Sequence, residues 1–275
     1  MTTISVEGIL RAKAPRISGR IPGGLVRLLA RLIHEDELNH ILTAYDTGDP
    51  FEFLRGFFGY TGVSYEAVGL EGLRRDGRYI FAANHPFGGM DGMMLAERIG
   101  SHFGDVRVIV NDILMYLDPL KGIFVPVNKS GTQRGAYAVA FNEAFAGPAP
   151  VLTFPAGLCS RCGTDGVVAD IDWRPNFIKR AAQTDRLIVP VYVEGRLSKR
   201  FYRWARWRKR LGVRFNVEQI FLPDEMFRQR GQHFRLVFGA PVPVSELRAA
   251  TGATDPRVLA AEVRRRSYAL QAGME

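Results

Sequence analysis

The chain has 275 residues, of which 47% are apolar and 24% charged, a composition typical of globular proteins with a substantial buried core. No run is long enough for a transmembrane helix, the first twenty residues show no apolar signal-peptide core, and the two cysteines exclude a disulfide framework and suit a reducing cytoplasm. The formal net charge of +9 indicates a polyanionic partner only if the surplus is concentrated in one segment.

Residues 1–70 are predicted to form an N-terminal helical region. A mostly apolar run at 25–33 carries Arg27 and Arg31 four residues apart. This pattern fits either a packing helix with one charged edge or an amphipathic helix that lies on a bilayer. Residues 51–65 are rich in phenylalanine and glycine, which is typical of a packed connector or of the wall of an apolar ligand groove.

Residues 71–275 alternate between short apolar runs and longer helical patterns, without an internal repeat. Candidate strands lie at 78–83, 106–110, 123–127, 151–154, 187–193 and 234–239. Candidate helices lie at 92–103, 133–146, 174–184 and 256–271. Such alternation predicts an α/β domain with a largely parallel central sheet flanked by helices. We expect this domain to cover 71–275 and to end in a C-terminal helix.

The first strand of this domain leads into the turn at 84–92, which reads Asn-His-Pro-Phe-Gly-Gly-Met-Asp-Gly. The proline after His85 favours an extended conformation at that histidine, so the imidazole should project from the strand end. Gly88 and Gly89 allow a tight turn that brings Asp91 to the start of the next helix. His85 and Asp91 are therefore a candidate base and its orienting carboxylate. The alternative is a helix junction in which Asp91 is only the N-cap.

Later strands also lead into loops with polar groups, and functional sites of open α/β sheets gather at the carboxyl ends of strands. One loop contains an amide and a cation, Asn128 and Lys129, and another a hydroxyl and a guanidinium, Ser160 and Arg161. These side chains are candidates to converge with His85 and to bind an anionic group.

Signatures of other enzyme classes are missing or weak. There is no nucleophile elbow, Walker A loop or dinucleotide fingerprint. Cys159 and Cys162 form a lone C-x-x-C pair, and without a second pair or a thioredoxin-like context the sequence favours neither a redox site nor a zinc site.

The order of these segments is more specific than any one of them. The chain resembles the PlsC-type glycerolipid acyltransferases in four blocks: Asn84-His85-Pro86 with Asp91, Gly-Ile-Phe-Val at 122–125, Phe-Pro-Ala-Gly at 154–157 and Val-Pro-Val at 189–191. More narrowly, NHPFGGMDG with FPAGLCSR resembles a bacterial haemolysin-like branch. That branch includes O-acyltransferases that complete ornithine- and glycine-type aminolipids. The resemblance covers residues 70–245.

Two departures from the family pattern bear on the substrate. Five residues instead of four separate His85 from Asp91, and Ala156 and Leu158 replace the Glu and Thr of the third block. The second change favours a non-phosphorylated or unusual acceptor over a glycerol phosphate. The resemblance to the aminolipid branch implies a lyso-aminolipid of ornithine or glycine type as the acceptor. The alternatives are a lysophospholipid acyltransferase and a non-catalytic lipid- or nucleic-acid-binding protein on the same scaffold.

The resemblance implies an enzyme that moves a fatty acyl chain from acyl-ACP or acyl-CoA to a lipid hydroxyl, with His85 as general base oriented by Asp91. It implies no metal and no cofactor beyond the thioester co-substrate. Backbone N–H groups of the glycine-rich turn and of the third block are candidate oxyanion donors. The expected substrate-binding residues are Asn84, Gly88, Gly89, Asn128, Lys129, Phe154, Pro155, Gly157, Ser160 and Arg161.

The charge surplus is concentrated between Glu194 and Glu218, where nine basic residues and no acid occur. Aromatic residues alternate with these cations, which suits an anionic membrane surface better than nucleic acid or a plain solvated helix. We therefore expect a peripheral protein on the cytoplasmic face of the inner membrane. The predicted membrane-binding residues are Lys199, Arg200, Tyr202, Arg203, Trp204, Arg206, Trp207, Arg208, Lys209 and Arg210.

Overall fold

A computed structural model of the chain describes residues 3–13, 19–127, 134–212 and 217–274. The chain begins with the helices α1 (Val6–Lys13), α2 (Gly23–Leu32), α3 (Glu35–Ala44) and α4 (Pro50–Thr61). Helix α4 has clear start and stop signals. The carboxylate of Asp49 accepts the N–H groups of Phe51 and Glu52 at 2.7 and 2.9 Å, and Gly62 ends the helix with a φ of 67°.

The strands of the described residues are β1 (Ser64–Val68), β2 (Tyr79–Ala83), β3 (Arg107–Asn111), β4 (Phe124–Val127), β5 (Val151–Thr153), β6 (Arg161–Cys162), β7 (Val168–Ala169), β8 (Leu187–Val193) and β9 (His233–Phe238). Seven of them form one sheet in the order β1-β9-β8-β2-β5-β3-β4, and β6 pairs with β7. Strands β4, β3, β5, β2 and β8 are parallel, whereas β9 is antiparallel to β8 and parallel to β1. The predicted α/β class with a largely parallel sheet is confirmed.

Helices cover both faces of this sheet. They are α5 (Met90–Phe103), α6 (Arg134–Ala146), α7 (Asn176–Thr184), α8 (Lys199–Arg210), α9 (Leu222–Phe227), α10 (Val244–Thr251) and α11 (Pro256–Ala269). All residues of β2 are buried, and they alternate between two apolar clusters. Phe81 shares its cluster with Leu95 of α5, whereas Ile80 shares the other with Phe177 of α7 and Leu259 of α11. A strand buried on both faces explains the continuous apolar run in the sequence.

The aromatic stretch at 51–65 is mostly helix α4 and acts as a packed connector. Phe53, Phe57 and Phe58 are buried in the same apolar cluster as Phe81 of the sheet. Strand β1, which the sequence interpretation missed, then pairs with β9 at the edge of the sheet. One core therefore extends across the predicted boundary at residue 70.

Helix α2 lies on the surface. None of its residues is buried, and Leu25 and Leu28 are exposed, which favours the amphipathic helix of the two interpretations. Within the described ranges, no helix has both the length and the apolar character needed to cross a membrane.

Candidate active site

His85 lies at the carboxyl edge of the sheet, directly after β2 and beside the ends of β5 and β8. Its Nδ1 is 2.9 Å from Oδ2 of Asp91, in the first turn of α5. Asp91 is fully buried and also accepts the N–H groups of Phe87 and Gly92 at 3.0 and 2.9 Å. The turn accommodates the additional residue because Gly88 adopts a φ of 73°. The imidazole and the carboxylate therefore face one another, and Asp91 is more than a helix cap.

The imidazole ring of His85 is fixed on a second side by Phe154, which follows β5. The two rings stack with their centroids 4.1 Å apart and an interplanar angle of 27°. Nε2 has no hydrogen-bond partner among the described residues, and the side chain is 16% exposed. A hydroxyl group of a ligand can therefore approach Nε2 while Nδ1 stays bound to Asp91.

Opposing effects act on the pKa of His85. Burial lowers this pKa, because the imidazolium loses its hydration, and the charge of Arg161 acts in the same direction. The charge and hydrogen bond of Asp91 raise it, with a further contribution from Asp170. The carboxylates prevail, and the pKa of His85 is raised above its ordinary value. The site thus stabilises the imidazolium that forms when His85 accepts a proton.

Two residues predicted to bind substrate already have hydrogen-bond partners within the protein, so the structure lends no support to these two predictions. The buried Asn84 joins β2 to β8: its amide donates to the C=O of Val193 at 2.9 Å and accepts the N–H of Val193 at 2.6 Å. Ser160 is also buried, and its hydroxyl donates to Asp170 at 2.6 Å. Both residues connect His85's neighbourhood to other segments of the fold.

The glycine-rich turn presents backbone donors. The N–H groups of Gly88 and Gly89 have no hydrogen-bond partner within the described part of the chain, and they precede the positively polarised start of α5. Gly157 is exposed with a φ of 67°, and Pro155 is buried with its C=O accepting the N–H of Arg174 at 3.0 Å. These two N–H groups suit an oxyanion, because they have no partner among the described residues and lie in the turn that joins His85 to the start of α5.

Arg161 lies near the site but already has partners. Its guanidinium donates to Oε1 of Glu218 at 2.9 Å and to Sγ of Cys159 at 3.0 Å. Glu218 is fully buried and also pairs with Arg208 of α8 at 2.7 Å. An anionic ligand would compete with Glu218 for Arg161, whose role in binding stays a prediction. Two further predicted binding residues lie outside the described part of the chain: Asn128 and Lys129.

Cys159 and Cys162 are free thiols. Burial raises the pKa of the Cys159 thiol to about 11, so this thiol is protonated and unreactive at neutral pH. A redox role for the pair gains no support from this environment. No group of three or more His, Cys, Asp or Glu side chains in the described ranges could hold a metal ion.

Helix α8 packs beside the site with part of its charge already paired. Arg200 pairs with Asp224, and Arg208 pairs with Glu218. Tyr202 is buried and its hydroxyl accepts a backbone N–H, so the structure does not support a membrane contact for this residue. The exposed residues of the predicted set are Lys199, Arg203, Trp204, Arg206, Trp207, Lys209 and Arg210.

One residue of the site was missed in the sequence. The carboxylate of Asp170 accepts the backbone N–H of His85 at 3.2 Å, although the two residues are 85 positions apart in the chain. An isolated acid after a short apolar run has no chemical signature of its own. Only the fold brings Asp170 next to His85.

Comparison with known proteins identifies the family of the chain. An acyltransferase family profile matches residues 8–275. A lyso-glycine lipid O-acyltransferase from Bacteroides thetaiotaomicron is 39% identical over 241 residues, which cover 87% of this chain and 88% of that protein. A second lyso-glycine lipid O-acyltransferase, from Phocaeicola vulgatus, is 37% identical over 241 residues, with coverage of 87% and 86%.

Among solved structures, the 1-acyl-sn-glycerophosphate acyltransferase PlsC from Thermotoga maritima is similar, with a TM-score of 0.46 and 15% identity over 89% of this chain and 95% of that one. A likeness of this degree carries no functional conclusion. The family follows instead from the profile, which matches almost the whole chain, and from the two relatives. The predicted family is thereby confirmed: this chain belongs to the acyltransferases and is an enzyme that transfers acyl groups.

Proposed function

We propose that this enzyme transfers a fatty acyl chain from a thioester, acyl-ACP or acyl-CoA, to the hydroxyl group of a lyso-aminolipid of glycine or ornithine type. The two relatives named as lyso-glycine lipid O-acyltransferases support this class of acceptor. The observation that carries the proposal is the His85–Asp91 pair, in which Nδ1 is bound at 2.9 Å and Nε2 remains open.

In the proposed reaction, Asp91 accepts the Nδ1–H of His85, so the lone pair of Nε2 faces the acceptor hydroxyl. Nε2 takes the hydroxyl proton while the oxygen attacks the thioester carbonyl and the new C–O bond forms. The tetrahedral intermediate then collapses with cleavage of the C–S bond, and the imidazolium returns its proton to the departing thiolate. Because the acceptor oxygen attacks directly, the reaction requires no acylated serine or cysteine.

The oxyanion of the tetrahedral intermediate needs donors that are in place before the reaction. The unpaired N–H groups of Gly88 and Gly89 lie in the turn between His85 and α5, and the helix dipole of α5 also favours negative charge there. We assign the oxyanion to these two donors. A side chain at position 88 would be strained, because its Cβ atom would lie 3.1 Å from Cβ of Cys159 on a backbone with positive φ.

We also propose that helix α8 places this site against an anionic membrane on the cytoplasmic face. Trp204 and Trp207 are 46% and 57% exposed among the exposed cations of the helix, a combination that suits the membrane interface. The surface adjoins the site, because Glu218 pairs with both Arg208 of α8 and Arg161. A lyso-lipid in the membrane would then be close to His85.

The test is lipid profiling in a bacterial host that makes no aminolipids and is supplied with lyso-glycine lipid. Expression of the wild type should yield a diacylated product, detected by mass spectrometry. H85A should reduce its rate of formation about 10²–10⁴-fold, because the acceptor loses its general base. The matched control is H40A, which changes an exposed histidine of α3 and should leave the rate unchanged. Wild-type product formation by H85A would refute the mechanism, and acylation of lysophosphatidate alone would refute the acceptor class.

A further inference from the structure

We propose that Asp170 is a positioning residue for the general base: its buried carboxylate fixes the backbone of His85 and supplies a second negative charge beside the imidazole. This inference rests on the proposed function and extends it to a residue outside the four sequence blocks.

The carboxylate of Asp170 is 3% exposed and joins three parts of the site. Oδ1 accepts the backbone N–H of His85 at 3.2 Å and the hydroxyl of Ser160 at 2.6 Å. Oδ2 accepts the indole N–H of Trp173 at 2.8 Å. One buried side chain therefore connects the end of β2, the loop after β5 and the segment that leads to α7.

These partners require a carboxylate. The His85 N–H and the Trp173 N–H can only donate, and they point at different oxygens of Asp170. An asparagine at this position would offer one carbonyl oxygen and would turn its NH₂ group towards the remaining donor. The loss of an acceptor at a buried donor is unfavourable, so the local hydrogen-bond pattern selects an acid at position 170.

The backbone of His85 is fixed on both sides by two different loops. Its N–H donates to Asp170 in the loop after β7, and its C=O accepts the N–H of Ser160, in the loop after β5, at 2.8 Å. The loop after β7 is in turn bonded to the C-terminal helix α11. The N–H of Asp170 donates to the hydroxyl of Tyr268 at 2.7 Å, and its C=O accepts from Arg264 at 2.6 Å. The position of the imidazole thus depends on contacts that reach from β2 to the last helix.

The charge of Asp170 also favours the reaction. The charged groups that act on the imidazole are Asp91 from α5, Asp170 from the loop after β7 and Arg161 from β6. The guanidinium of Arg264 reaches the backbone C=O of Asp170, and no cationic side chain pairs with the carboxylate itself in the described ranges. When Nε2 takes the acceptor proton, two carboxylates stabilise the imidazolium. Burial raises the pKa of Asp170, while its hydrogen bonds oppose this shift.

Steady-state kinetics of D170N over a range of pH tests the proposal. We expect kcat to fall about 10- to 100-fold, because the base is less well placed. KM for the lyso-lipid should be unchanged, because Asp170 does not contact it. His85 must be neutral to act as a base, and the loss of a nearby negative charge lowers its pKa. The acid limb of kcat/KM should therefore move to lower pH. D172N, an exposed acid two residues away, is the charge-matched control and should behave as the wild type.

A second measurement is independent of turnover. The chain has five histidines, so the ring signals can be followed by NMR with ¹³C-labelled histidine and assigned to His85 with H85Q. The signal of His85 should titrate at lower pH in D170N than in the wild type or D172N. An unchanged titration, with acylation still dependent on His85, would overturn the role of Asp170 alone. Acylation that survives H85A would overturn the proposed function, whatever the titration shows.

Two further variants keep the proposal testable if D170N does not fold. S160A and W173F each remove one donor from the Asp170 carboxylate and leave its charge in place. Both should lower kcat more than they change KM, and neither should move the acid limb to lower pH. Wild-type kcat in both folded variants would overturn the proposal.

Discussion

The two edges of the parallel sheet each bury an ionisable side chain, but in different surroundings. At the carboxyl edge, His85 contacts the carboxylate of Asp91 through Nδ1 and keeps Nε2 open. At the amino edge, Arg186 is 2% exposed, precedes β8 and donates only to backbone carbonyls. Its acceptors are Phe145 at 2.9 Å, Ala149 at 2.9 Å, Tyr79 at 3.1 Å, Ala144 at 3.5 Å and Gly147.

This difference separates a side chain that stabilises the fold from the one to which we assign the chemistry. The guanidinium of Arg186 satisfies the carbonyls at the end of α6 and at the starts of β2 and β5, and its nitrogen atoms are all engaged. Burial lowers the pKa of Arg186 to about 10, which leaves it charged at neutral pH. His85 has one nitrogen engaged and one open, so it can exchange a proton with a ligand. A buried ionisable group can exchange a proton with a ligand only when one of its polar atoms is not engaged by the protein.

The largest effect at the carboxyl edge should come from D91N. The amide lacks the negative charge that stabilises the imidazolium, and its NH₂ group would favour the wrong tautomer of His85, so we expect kcat to fall about 10²–10⁴-fold. Because Asp91 raises the pKa of His85, the residual kcat/KM should have its acid limb at lower pH than the wild type. A pH profile of acyl transfer measures both effects. Wild-type kcat in D91N would contradict the catalytic role of this edge; D36N, which alters an exposed acid of α3, is the control.

At the amino edge, R186M should affect stability and leave the chemistry intact. The substitution leaves several buried carbonyls without donors, at a cost of about 1–3 kcal/mol each, so we expect the free energy of unfolding to fall by about 3–5 kcal/mol. R186K should be intermediate, because an ammonium group offers three donors in place of five. Urea denaturation measures the loss, with the exposed R75M as control. If R186M lowered kcat per folded molecule without a loss of stability, the amino edge would not be purely structural and the comparison between the two edges would be wrong.

The smallest expected effect concerns the surfaces next to the two edges. R203Q/R206Q/K209Q removes three exposed cations of α8, and each cation contributes about 1 kcal/mol at an anionic membrane. Affinity for phosphatidylglycerol vesicles, measured by co-sedimentation, should therefore fall about 100-fold. R74Q/R75Q/R78Q removes three exposed arginines near the amino edge and should bind as the wild type does. Equal losses in both variants would mean that net charge, and not helix α8, determines binding.

The fold was predictable where its strands are buried on both faces. Strands such as β2 and β8 appear in the sequence as continuous apolar runs of fixed length, and helical patterns separate them. Strand β1 was missed because it lies at the sheet edge, buries none of its residues completely and begins with a serine. The antiparallel orientation of β9 relative to β8 was not predicted either, since the residue pattern of one strand contains no information about the direction of its neighbour.

The candidate site was predictable only in part. His85 and Asp91 were found because the turn that joins them is local, and the residues between them set its geometry. Asn84 and Ser160 were assigned to substrate because their side chains are polar. In the fold their partners are Val193 and Asp170, which are distant in the chain. The type of a side chain determines which hydrogen bonds it can form. Its actual partner depends on which segments the sheet brings together.

Residues 84–92 by themselves therefore determined the contact between His85 and Asp91 and the turn between them, because the conformational preferences of proline and glycine act over a few residues. The apolar runs determined the class of the fold, because strands that are buried on both faces are apolar along their whole length. Only the tertiary structure decided that Asp170 reaches His85, that Glu218 occupies Arg161 and that Tyr202 faces the core and not the solvent. These outcomes depend on burial and on contacts between distant segments, and both arise only when the sheet assembles.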